Sequence, residues 1–544
     1  MATNNSVIIV GGSLNGLSTA LLLARRKVPT LVVERHPTTS IQYKFRGISP
    51  RSMEIYREAR IEAEIRAHRT GDQQAGGIAR VKNLADKSVH WETPPWEDVR
   101  DLSPTTAATC DQDQLEPILR EHAERLGAEV RFNTELVDLR QDDREVKASI
   151  RDRGTGKEET VTAAYLVAAD GANGNIREML GIERQGPGVL QHWMNVIFDT
   201  DLKPFLEGKR FTACFIMDIN GTFVPREGSE RWLMAVQYFP ERGERPEDFN
   251  EAHCAELIRK GAGRSDVKVK LVDARPWEVA ALVADQFRQG RVFLVGDTAH
   301  VMPPTGGFGG NTGIHDGHNL AWKLAAVLQG VAGAELLDTY DSERRPVAER
   351  TLAQALARLQ AWFKDPSKKL PPAEKIIDDF AVHFGFLYHH GALIPAEEFS
   401  TSEAFEDPRK PTGRPGLRAP HVVVERAGQK LSTIDLFDGQ WTLLVGSDGR
   451  AWCEAADRTP AASAIDLQSY WIGPGADLKD TDNRWTAAYG VGGDGATLVR
   501  PDGFIAWRAR GAVAQPAAVL RDVFESLSIL NSAGKQRSQS TGQI

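Results

Sequence analysis

Val7-Ile8-Ile9-Val10-Gly11-Gly12-Ser13-Leu14-Asn15-Gly16 is the stretch that decides the fold. Its β-branched residues predict a buried strand, the glycines predict a tight turn, and residues 17–27 predict an apolar helix. A second strand over residues 30–33 ends at Glu34, which completes a β-turn-α-β unit within about 30 residues. This order is typical of the first unit of a doubly wound parallel sheet.

The turn is suited to a diphosphate, because backbone N–H groups and the positive end of a helix meet there. Ser13 replaces the middle glycine of G-x-G-x-x-G, which narrows the approach but adds a hydroxyl that can donate to phosphate. Glu34 stands where a carboxylate accepts from ribose hydroxyls. The alternatives are an ordinary βα turn, a solvated strand end at Glu34 and a plain surface charge at Arg35. Taken together, the features favour a dinucleotide.

Composition limits the class of protein. A chain of 544 residues is too long for one core and predicts several domains. A net charge of −8 without a Lys/Arg block argues against a nucleic-acid partner. The apolar runs are shorter than the roughly 20 residues that a bilayer requires, so no membrane partner is expected. Four widely spaced cysteines without CxxC argue against disulfides and thiolate metal sites and favour a cytoplasmic location.

The pattern along the chain predicts a discontinuous nucleotide-binding domain with an insert. Residues 1–182 and 278–370 form the predicted nucleotide-binding domain, and 183–277, with part of 70–110, form a predicted antiparallel sheet rich in aromatic residues. Residues 371–417 are a linker with helices, 418–530 a small α/β domain, and 531–544 a flexible Ser/Gln-rich tail.

A second cluster indicates which dinucleotide binds. The predicted strand Phe293–Val295 ends at Gly296-Asp297, and a loop with five glycines follows between Pro303 and Gly313. So many glycines are costly in folding entropy unless the backbone must approach a ligand closely, and a planar ring is the obvious candidate. A helix beginning near Asn311 would direct its positive end at that ring, which suits a flavin that becomes anionic on reduction.

These segments resemble the single-component FAD-dependent aromatic hydroxylases with the p-hydroxybenzoate hydroxylase fold. Ala169-Asp170-Gly171 is similar to their DG segment, Gly296-Asp297 to their GD motif and residues 340–346 to their Y-x-x-E-R-x-P ending. Gly174 departs from the serine usual in the DG segment, which puts the details of nicotinamide binding in doubt. Residues 413–421, 431–437 and 499–508 look like the thioredoxin-like appendage of bacterial anthracycline and angucycline hydroxylases. Because Cys453 has no nearby partner, disulfide exchange is chemically unavailable to that domain.

The resemblance implies an α/β fold: a Rossmann-type FAD-binding domain, an inserted, mainly antiparallel β substrate domain and a C-terminal thioredoxin-like domain. It also implies the cofactor-binding residues, which are Gly11, Gly12, Ser13, Leu14, Asn15, Gly16, Glu34, Arg35, Arg46, Gln112, Leu136, Asp170, Gly171, Gly296, Asp297, Pro304, Gly307, Gly309, Gly310, Asn311 and Thr312. Structural caps are the alternative roles for Arg46 and Gln112.

Candidates for the reaction itself are fewer. The resemblance places Tyr388 and His389 at the mouth of the substrate cavity as candidate catalytic residues, although a satisfied surface histidine is the simpler interpretation. Trp193, Phe215, Phe223 and Tyr238 are candidate contacts to a bulky ring system, with a core role as the alternative. His315 and His318 stand at i and i+3 of a predicted helix, but no third ligand is apparent, so no metal site is predicted.

The function that follows is FAD-dependent hydroxylation of a bulky polycyclic aromatic polyketide, with NADPH or NADH as reductant, O2 as oxidant and a flavin C4a-hydroperoxide as intermediate. The alternatives are a Baeyer–Villiger or epoxidising oxygenase and a non-catalytic FAD or polyketide binder. A simple NAD dehydrogenase leaves the second glycine-rich loop unexplained. The oligomeric state is expected to be a monomer or a homodimer.

Overall fold

The computed structural model describes residues 6–42, 44–68, 77–93, 98–202, 206, 211–226, 230–362, 370, 372–395, 403–459, 462 and 465–527. The predicted tail 531–544 lies outside these residues. None of the described helices combines the length and apolar character that crossing a membrane requires.

The strands are β1 (Val7–Val10), β2 (Thr30–Val33), β3 (Gly47–Ile48), β4 (Ile78–Val81), β5 (His90–Thr93), β6 (Ala108–Thr109), β7 (Glu129–Arg131), β8 (Thr134–Gln141), β9 (Val146–Asp152), β10 (Glu158–Ala163), β11 (Tyr165–Ala168), β12 (Arg184–Asp199), β13 (Ala213–Ile216), β14 (Gly221–Pro225), β15 (Arg231–Tyr238), β16 (Lys270–Ala284), β17 (Arg288–Gln289), β18 (Val292–Leu294), β19 (His300–Val301), β20 (Val423–Arg426), β21 (Gln429–Ser432), β22 (Thr442–Val445), β23 (Gln468–Trp471), β24 (Lys479–Asp480), β25 (Ala496–Val499) and β26 (Ile505–Ala509). The α-helices are α1 (Leu14–Arg25), α2 (Pro50–Glu58), α3 (Glu62–Ala67), α4 (Gln112–Arg125), α5 (Ile176–Met179), α6 (Glu251–Ala262), α7 (Phe308–Leu328), α8 (Thr339–Trp362), α9 (Asp379–Phe384), α10 (Arg450–Arg458), α11 (Trp485–Tyr489) and α12 (Pro516–Ser526).

The cofactor unit is built on a sheet in the order β17-β18-β11-β1-β2-β7, in which β18, β11, β1, β2 and β7 run parallel. Strands β1 and β11 are buried along their whole length, as expected for apolar strands covered on both faces. Their carboxyl ends meet at one edge of the sheet, and α1 and α7 leave from this edge. In an open parallel sheet this edge is where ligands bind.

The middle sheet has the order β19-β16-β12-β15-β14-β13-β4-β5. Helix α6 covers one face, where Cys254 and Ile258 pack with Phe198 and Phe223. The opposite face packs toward the cofactor unit. The edge strand β19 follows the Gly296–Thr298 turn directly, so this sheet extends into the range predicted for the FAD domain.

The C-terminal unit contains a mixed sheet in the order β23-β22-β25-β26, in which β22 is parallel to β23 and antiparallel to β25. Helices α10 and α12 pack on it through Trp452 and Phe524. A second, small sheet has the order β21-β20-β24. Trp441 of this unit meets Trp322 of α7 edge to face at 5.6 Å, which places the C-terminal unit directly against the cofactor unit.

Strands β8 and β9 form a hairpin. Residues 50–67 form two helices, because the backbone between them turns left-handed at Arg60 with φ 64°. The helix predicted from Asn311 already begins at Phe308, within the glycine-rich segment.

Candidate flavin site and substrate face

The first glycine-rich turn has no room for side chains at two positions. Gly11 has a φ of 111°, and a Cβ there would lie 2.1 Å from the carbonyl oxygen of Ala169. A Cβ on Gly16 would lie 1.9 Å from the carbonyl oxygen of Gly11. Glycine is therefore required at both positions to bring β1, α1 and β11 together. The N–H groups of Asn15 and Gly16, in the first turn of α1, have no intrahelical acceptor and can face a diphosphate.

Glu34 lies beside this turn at the end of β2. The Gly12 N–H donates to its Oε2 at 2.7 Å, and the His36 N–H donates to its Oε1 at 2.8 Å. The carboxylate is nearly buried, with 8% of the residue exposed. Each oxygen retains a lone pair that can accept from a ribose hydroxyl, as the sequence predicts.

A carboxyl group that the sequence analysis did not select lies inside the turn. Glu116, on α4, accepts from the Ser13 hydroxyl at 2.5 Å, the Leu14 N–H at 3.0 Å and the Gln112 amide at 2.7 Å through one oxygen. Its other oxygen accepts from the Ser40 N–H at 2.7 Å. Burial raises the pKa of this carboxyl, against the effect of these hydrogen bonds. The donors of the turn thus bind an anionic oxygen of this chain.

The second glycine-rich segment forms an open surface beneath the start of α7. Gly306 and Gly307 have φ of 83° and 66°, so the chain enters the helix from a left-handed turn. A Cβ on Gly307 or Gly309 would meet nothing within 4 Å, and Pro304 is exposed. The backbone here can therefore lie against a flat ring.

Asp297 lies at the edge of this surface. Its side chain is accessible to solvent, yet the protein packed around it raises the pKa of its carboxyl, against the opposing charges of His300 and Lys44. No other group in the described part of the chain forms a hydrogen bond with this carboxylate. It is free to accept from the hydroxyls of a ribityl chain.

Asn15 connects the two glycine-rich segments. A Cβ on Gly296 would lie 2.0 Å from its Nδ2, and a Cβ on Gly313 would lie 2.3 Å from the same atom. Its side chain therefore fills the gap between the Gly296 turn and α7. Its buried Oδ1 has no hydrogen-bond partner among the residues described. The predicted diphosphate turn and the predicted flavin loop thus touch each other.

Asp170 and Gly171 are tied to the Gly296–Thr298 turn. The Thr298 hydroxyl donates to Asp170 at 3.1 Å and accepts from the Gly171 N–H at 2.9 Å. A Cβ on Gly174 would lie 2.1 Å from the Asp170 carboxyl group. Gly174, which stands where the family usually has a serine, thus leaves the space that the Asp170 side chain occupies.

Asn311 fastens the start of α7 to the segment before α2. Its Oδ1 accepts from the Ser49 N–H at 2.9 Å and from the Ser52 hydroxyl at 2.7 Å, and its amide donates to the Gly47 carbonyl at 3.0 Å. The carbonyl of Thr312 accepts from Arg344 at 3.2 Å. A Cβ on Gly310 would lie 2.5 Å from the Phe45 ring. These residues shape the flavin loop.

Arg46 joins the cofactor unit to the middle sheet. Its guanidinium donates to both oxygens of Asp111, at 2.6 and 3.1 Å, and to the carbonyls of Pro225 at 2.6 Å and Thr212 at 3.3 Å. It therefore holds the two units together next to Gly47.

The two remaining predicted cofactor residues lie beside Glu34. Arg35 is exposed, and its carbonyl accepts from Arg153 at 2.8 Å. Leu136 is half-buried in β8, two residues beyond Thr134, whose N–H donates to the Glu34 carbonyl at 2.8 Å. Both are placed on the side where an adenosine would lie if Glu34 binds its ribose.

The four aromatic residues predicted to contact substrate divide between the two faces of the middle sheet. Trp193 packs with the core of the cofactor unit and stacks on Trp277 at 6.1 Å. Phe215 lies edge to face with Trp362 of α8 at 5.9 Å. These two residues face the cofactor unit.

Phe223 and Tyr238 lie on the other face, and their prediction as substrate contacts is wrong. Phe223 is fully buried, and a Cβ on Gly261 of α6 would lie 2.6 Å from its ring. Tyr238 belongs to the same core and packs on Phe249 at 5.8 Å. Side chains alternate along a strand, so residues of similar character point to opposite faces.

The face toward the cofactor unit carries polar atoms without partners. Cofactor-unit segments contact it at both ends: β19 pairs with β16 at one end, and the Gln42 amide donates to Asp273 at 2.6 Å at the other. Three buried atoms near this face, Gln42 Oε1, Asn195 Oδ1 and Trp277 Nε1, have no hydrogen-bond partner within the described ranges. An apolar surface with a few such groups is typical of a ligand site.

Tyr388 and His389 are not brought to this face. Tyr388 is 2% exposed, and its ring packs on Phe504 of the C-terminal unit at 4.6 Å. Its hydroxyl lies 3.2 Å from Arg344 and 3.5 Å from Asn319. His389 contacts the Glu403 carbonyl at 2.7 Å and Arg350 at 3.3 Å. Both residues belong to a packing interface, and we no longer propose them as catalytic.

His315 and His318 each contact α2 instead of each other. His315 lies 3.1 Å from the Ser52 hydroxyl and stacks on Phe386, and burial together with the Arg344 charge lowers its pKa well below the ordinary value. His318 lies 2.9 Å from Glu58. In the part of the chain that the structure describes, no three His, Cys, Asp or Glu side chains are placed to hold a metal ion.

These features together fit FAD. Glycines without space for a Cβ form a diphosphate turn whose donors bind a carboxylate in this chain, and a buried carboxylate stands at the ribose position. A second, open backbone surface and a free carboxylate suit the ring and the ribityl chain. The arrangement defines a flavoprotein with a substrate sheet adjoining the cofactor.

Comparison with known proteins identifies the family. Residues 4–355 match the FAD binding domain family, and residues 412–527 match the aromatic-ring hydroxylase C-terminal family. The chain is 40% identical over 532 residues to the aklavinone 12-hydroxylase RdmE of Streptomyces purpurascens, covering 95% of this chain and 97% of that protein. It is 37% identical over 537 residues to the 4-methyl-5-nitrocatechol 5-monooxygenase of a Burkholderia species, covering 96% and 97%.

A solved ternary complex of aklavinone-11 hydroxylase with FAD and aklavinone matches with a TM-score of 0.89 and 39% identity, covering 96% of this chain and 98% of that chain. The chain therefore belongs to the FAD-dependent aromatic-ring hydroxylases, and it is a monooxygenase that uses FAD. The predicted fold class and the prediction of FAD are confirmed.

Two residues of the site were missed from the sequence. Glu116 contacts Leu14 across 102 positions, and its only signal in the sequence was a carboxylate on the mainly apolar face of α4, beside Leu115 and Leu119. Asp316 accepts from the Gly296 N–H at 3.2 Å and contacts His300 at 2.7 Å, so it holds the Gly296 turn. Its signal was a carboxylate within the apolar helix α7, between the two histidines that the sequence analysis considered.

Proposed function

We propose that this enzyme hydroxylates a bulky polycyclic aromatic polyketide, with NADPH or NADH as reductant and O2 as oxidant. The observation that supports it is the middle-sheet face toward the cofactor unit, where Trp193 and Trp277 stack and nearby buried polar atoms have no partner in the described ranges. Stacked indoles suit a flat, extended ring system. Gln42, Asn195 and the Trp277 N–H supply two acceptors and one donor, which suit phenol and quinone oxygens.

When bound, FAD supplies the electron transfer from NADPH or NADH and the activation of O2, which no amino-acid side chain provides. The chain's own residues bind and orient. Gly11–Gly16 and Glu34 hold the adenosine and diphosphate half, while Asp297 and Gly307–Thr312 hold the ribityl and ring half. Ser13 donates to Glu116 in the structure, so we assign it to shaping the turn and not to direct phosphate contact.

The three buried polar atoms near the substrate face that have no partner in the described ranges belong to neutral side chains. We therefore propose that the enzyme positions a phenolic substrate and excludes water, and that the substrate's own acidity replaces a strong protein base. Arg46 contributes by holding the middle sheet to the cofactor unit through the carbonyls of Thr212 and Pro225.

We propose that NADPH or NADH meets the flavin beside Asp170 and Gly171. These residues stand next to the Gly296–Thr298 turn, where a passing nicotinamide would meet the flavin in enzymes that this chain resembles. The Asp170 carboxylate occupies the space next to Gly174.

A substrate panel tests the proposal. The purified protein is expected to be yellow, and flavin reduction by NADPH or NADH, followed without oxygen, is expected to accelerate with a tetracyclic anthracyclinone. The matched comparison is a single-ring nitrocatechol, which the Burkholderia relative's name suggests as an alternative substrate class. Incorporation of one atom from labelled O2 as a new ring hydroxyl supports hydroxylation. Ring expansion or an epoxide would show a different oxygenation, and acceleration by the catechol alone would contradict the polycyclic class.

A further inference from the structure

The C-terminal unit reaches the cofactor unit through the loop at residues 500–504, between β25 and β26. Arg500 donates to the two oxygens of Glu343 at 2.9 and 2.8 Å and to Asp502 at 2.9 Å. Asn319 of α7 donates to Glu343 at 2.6 Å and to Asp502 at 3.2 Å. Two side chains of the C-terminal unit are therefore bonded to helices α7 and α8.

The contact is a balanced ionic network without access to water. Its three cations and three carboxylates are each at most 1% exposed: Lys323, Arg344, Arg500, Asp316, Glu343 and Asp502. Although burial opposes ionisation, the Arg500 charge lowers the pKa of Asp502 to about 2. Tyr388 links the two halves of this network, because its hydroxyl lies near both Arg344 and Asn319.

From Arg344 the network continues into the flavin loops. Arg344 donates to Asp316 at 2.7 Å and to the Thr312 carbonyl at 3.2 Å. Asp316 in turn holds the Gly296 N–H at 3.2 Å and His300 at 2.7 Å. A continuous set of hydrogen bonds thus joins Arg500 to both segments that face the flavin.

A second route starts from the same loop. The Asp502 carbonyl accepts from Arg51 of α2 at 2.7 Å, and Arg418 donates to Glu54 of α2 at 2.9 Å. The start of α2 holds Asn311 through the Ser49 N–H and the Ser52 hydroxyl. Both routes therefore end on the first turn of α7.

We propose that the C-terminal unit sets the geometry of the flavin loops through this network, and that Arg500 and Asp502 are positioning residues for FAD. Buried ion pairs add little net stability compared with apolar packing, so their value lies in allowing only one arrangement of the groups that they join. Here those groups are α2, α7 and α8, whose residues surround the flavin loop. This role requires no thiol chemistry and does not depend on the identity of the substrate.

The experiment measures FAD binding in the full-length protein with three variants. Arg500→Met removes the central cation, and Tyr388→Phe removes only the hydroxyl between the two halves of the network. Asp438→Asn is the matched control, because Asp438 also bonds across the two units, to Arg25 and Arg60, but at the exposed surface. The readouts are the dissociation constant of FAD for the apoprotein, the visible circular dichroism of bound FAD and the melting temperature.

Arg500→Met is expected to weaken FAD binding at least about tenfold and Tyr388→Phe about threefold, each with a changed visible dichroism. Asp438→Asn is expected to leave binding and dichroism unchanged. Should Arg500→Met fail to fold, Tyr388→Phe decides the question, because the loss of one hydroxyl preserves the packing. Unchanged FAD affinity and dichroism in the folded variants, with only a lower melting temperature, would overturn the proposal and leave a structural role alone.

Discussion

Asp297 is an accessible carboxylate that we propose binds the ribityl chain of FAD. It has no hydrogen-bond partner in the described ranges, and the protein around it raises its pKa. No contact among the described residues therefore explains why a carboxylate stands at this position. We expect Asp297→Ala to lose FAD during gel filtration, with affinity reduced roughly ten- to hundredfold, the value of a hydrogen bond to a charged group. Asp285→Ala, at an exposed position of the same unit, is the control. A variant that stays fully yellow would show that the assignment is wrong.

Glu116 lies beside the turn that we propose holds the opposite half of the cofactor. It holds the Ser13 hydroxyl, the Leu14 N–H, the Gln112 amide and the Ser40 N–H in one place. We expect Glu116→Ala to leave these donors without an acceptor, lowering the free energy of unfolding by about 1–3 kcal/mol and weakening FAD binding about tenfold. Glu116→Gln keeps an oxygen for Ser13 and Leu14 and is expected to stay within about threefold of the wild type. Titration of apoprotein with FAD measures both, and wild-type affinity in the alanine variant would refute the role.

The Trp277 N–H offers a test of the substrate face. Trp277→Phe keeps most of the stack with Trp193 but removes a buried donor that has no partner in the described part of the chain. We expect KM for the aromatic substrate to rise about tenfold with kcat nearly unchanged, because the lost hydrogen bond is equally strong in the ground state and in the transition state. Trp471→Phe, whose N–H donates to the Ser447 carbonyl in the C-terminal unit, is the control. Equal KM values in all three proteins would place the substrate elsewhere.

At the scale of an element, two glycines one turn apart on α7, Gly313 and Gly317, both allow close packing against α1. A Cβ on Gly313 would displace Asn15, which fills the gap next to the Gly296 turn, whereas a Cβ on Gly317 would meet the Thr19 hydroxyl at 2.4 Å, one turn farther from the flavin loop. The close contact of α1 and α7 requires small residues at both positions.

The two positions predict different losses. Gly313→Ala is expected to weaken FAD binding about tenfold, because it disturbs the contact between the two cofactor segments. Gly317→Ala is expected to lower the free energy of unfolding by about 1–3 kcal/mol through overpacking, with FAD affinity unchanged. FAD titration and thermal unfolding separate these effects, and equal FAD affinities in the two variants would contradict the division of tasks.

At the scale of the whole molecule, stability depends on buried ionised carboxylates, one in the joint between the units and one within the cofactor unit. Burial raises the pKa of Asp502, but the Arg500 charge outweighs this effect and lowers the pKa to about 2. Burial likewise raises the pKa of Glu58, but His318 and Arg26 lower it to about 2. In both cases the folded chain binds the proton more weakly than the unfolded chain. Each group therefore stabilises the fold fully above its ordinary pKa near 4 and loses that contribution as the pH falls toward 2.

We expect the melting temperature to fall steeply between about pH 4.5 and pH 2, with each of the two groups contributing about 2 kcal/mol. Asp502→Asn is expected to reduce the difference in unfolding free energy between pH 5 and pH 2.5, because the asparagine amide does not bind a proton in this range. Calorimetry across this range is the measurement. The same acid sensitivity in wild type and variant would show that Asp502 is not responsible.

The flavin segments could be predicted from sequence because local spacing is sufficient for them. Gly11, Gly16 and Glu34 stand at fixed distances along one β-turn-α-β unit, and Gly307 and Gly309, after Pro303, leave backbone open to the close approach of a ligand. The structure places both segments in contact through Asn15, as a single cofactor requires. Their chemistry follows from residue types that a short stretch already contains.

The tertiary structure alone decided what depends on register and on distant pairs. Trp193 and Phe223 look equivalent in sequence, but the alternation of side chains in paired strands places one toward the cofactor unit and the other under α6. Tyr388 became part of the joint between units because Phe504, far along the chain, packs on its ring. Glu116 and Arg500 reach their partners across 102 and 157 positions, and no local pattern records such contacts because they exist only after the chain has folded.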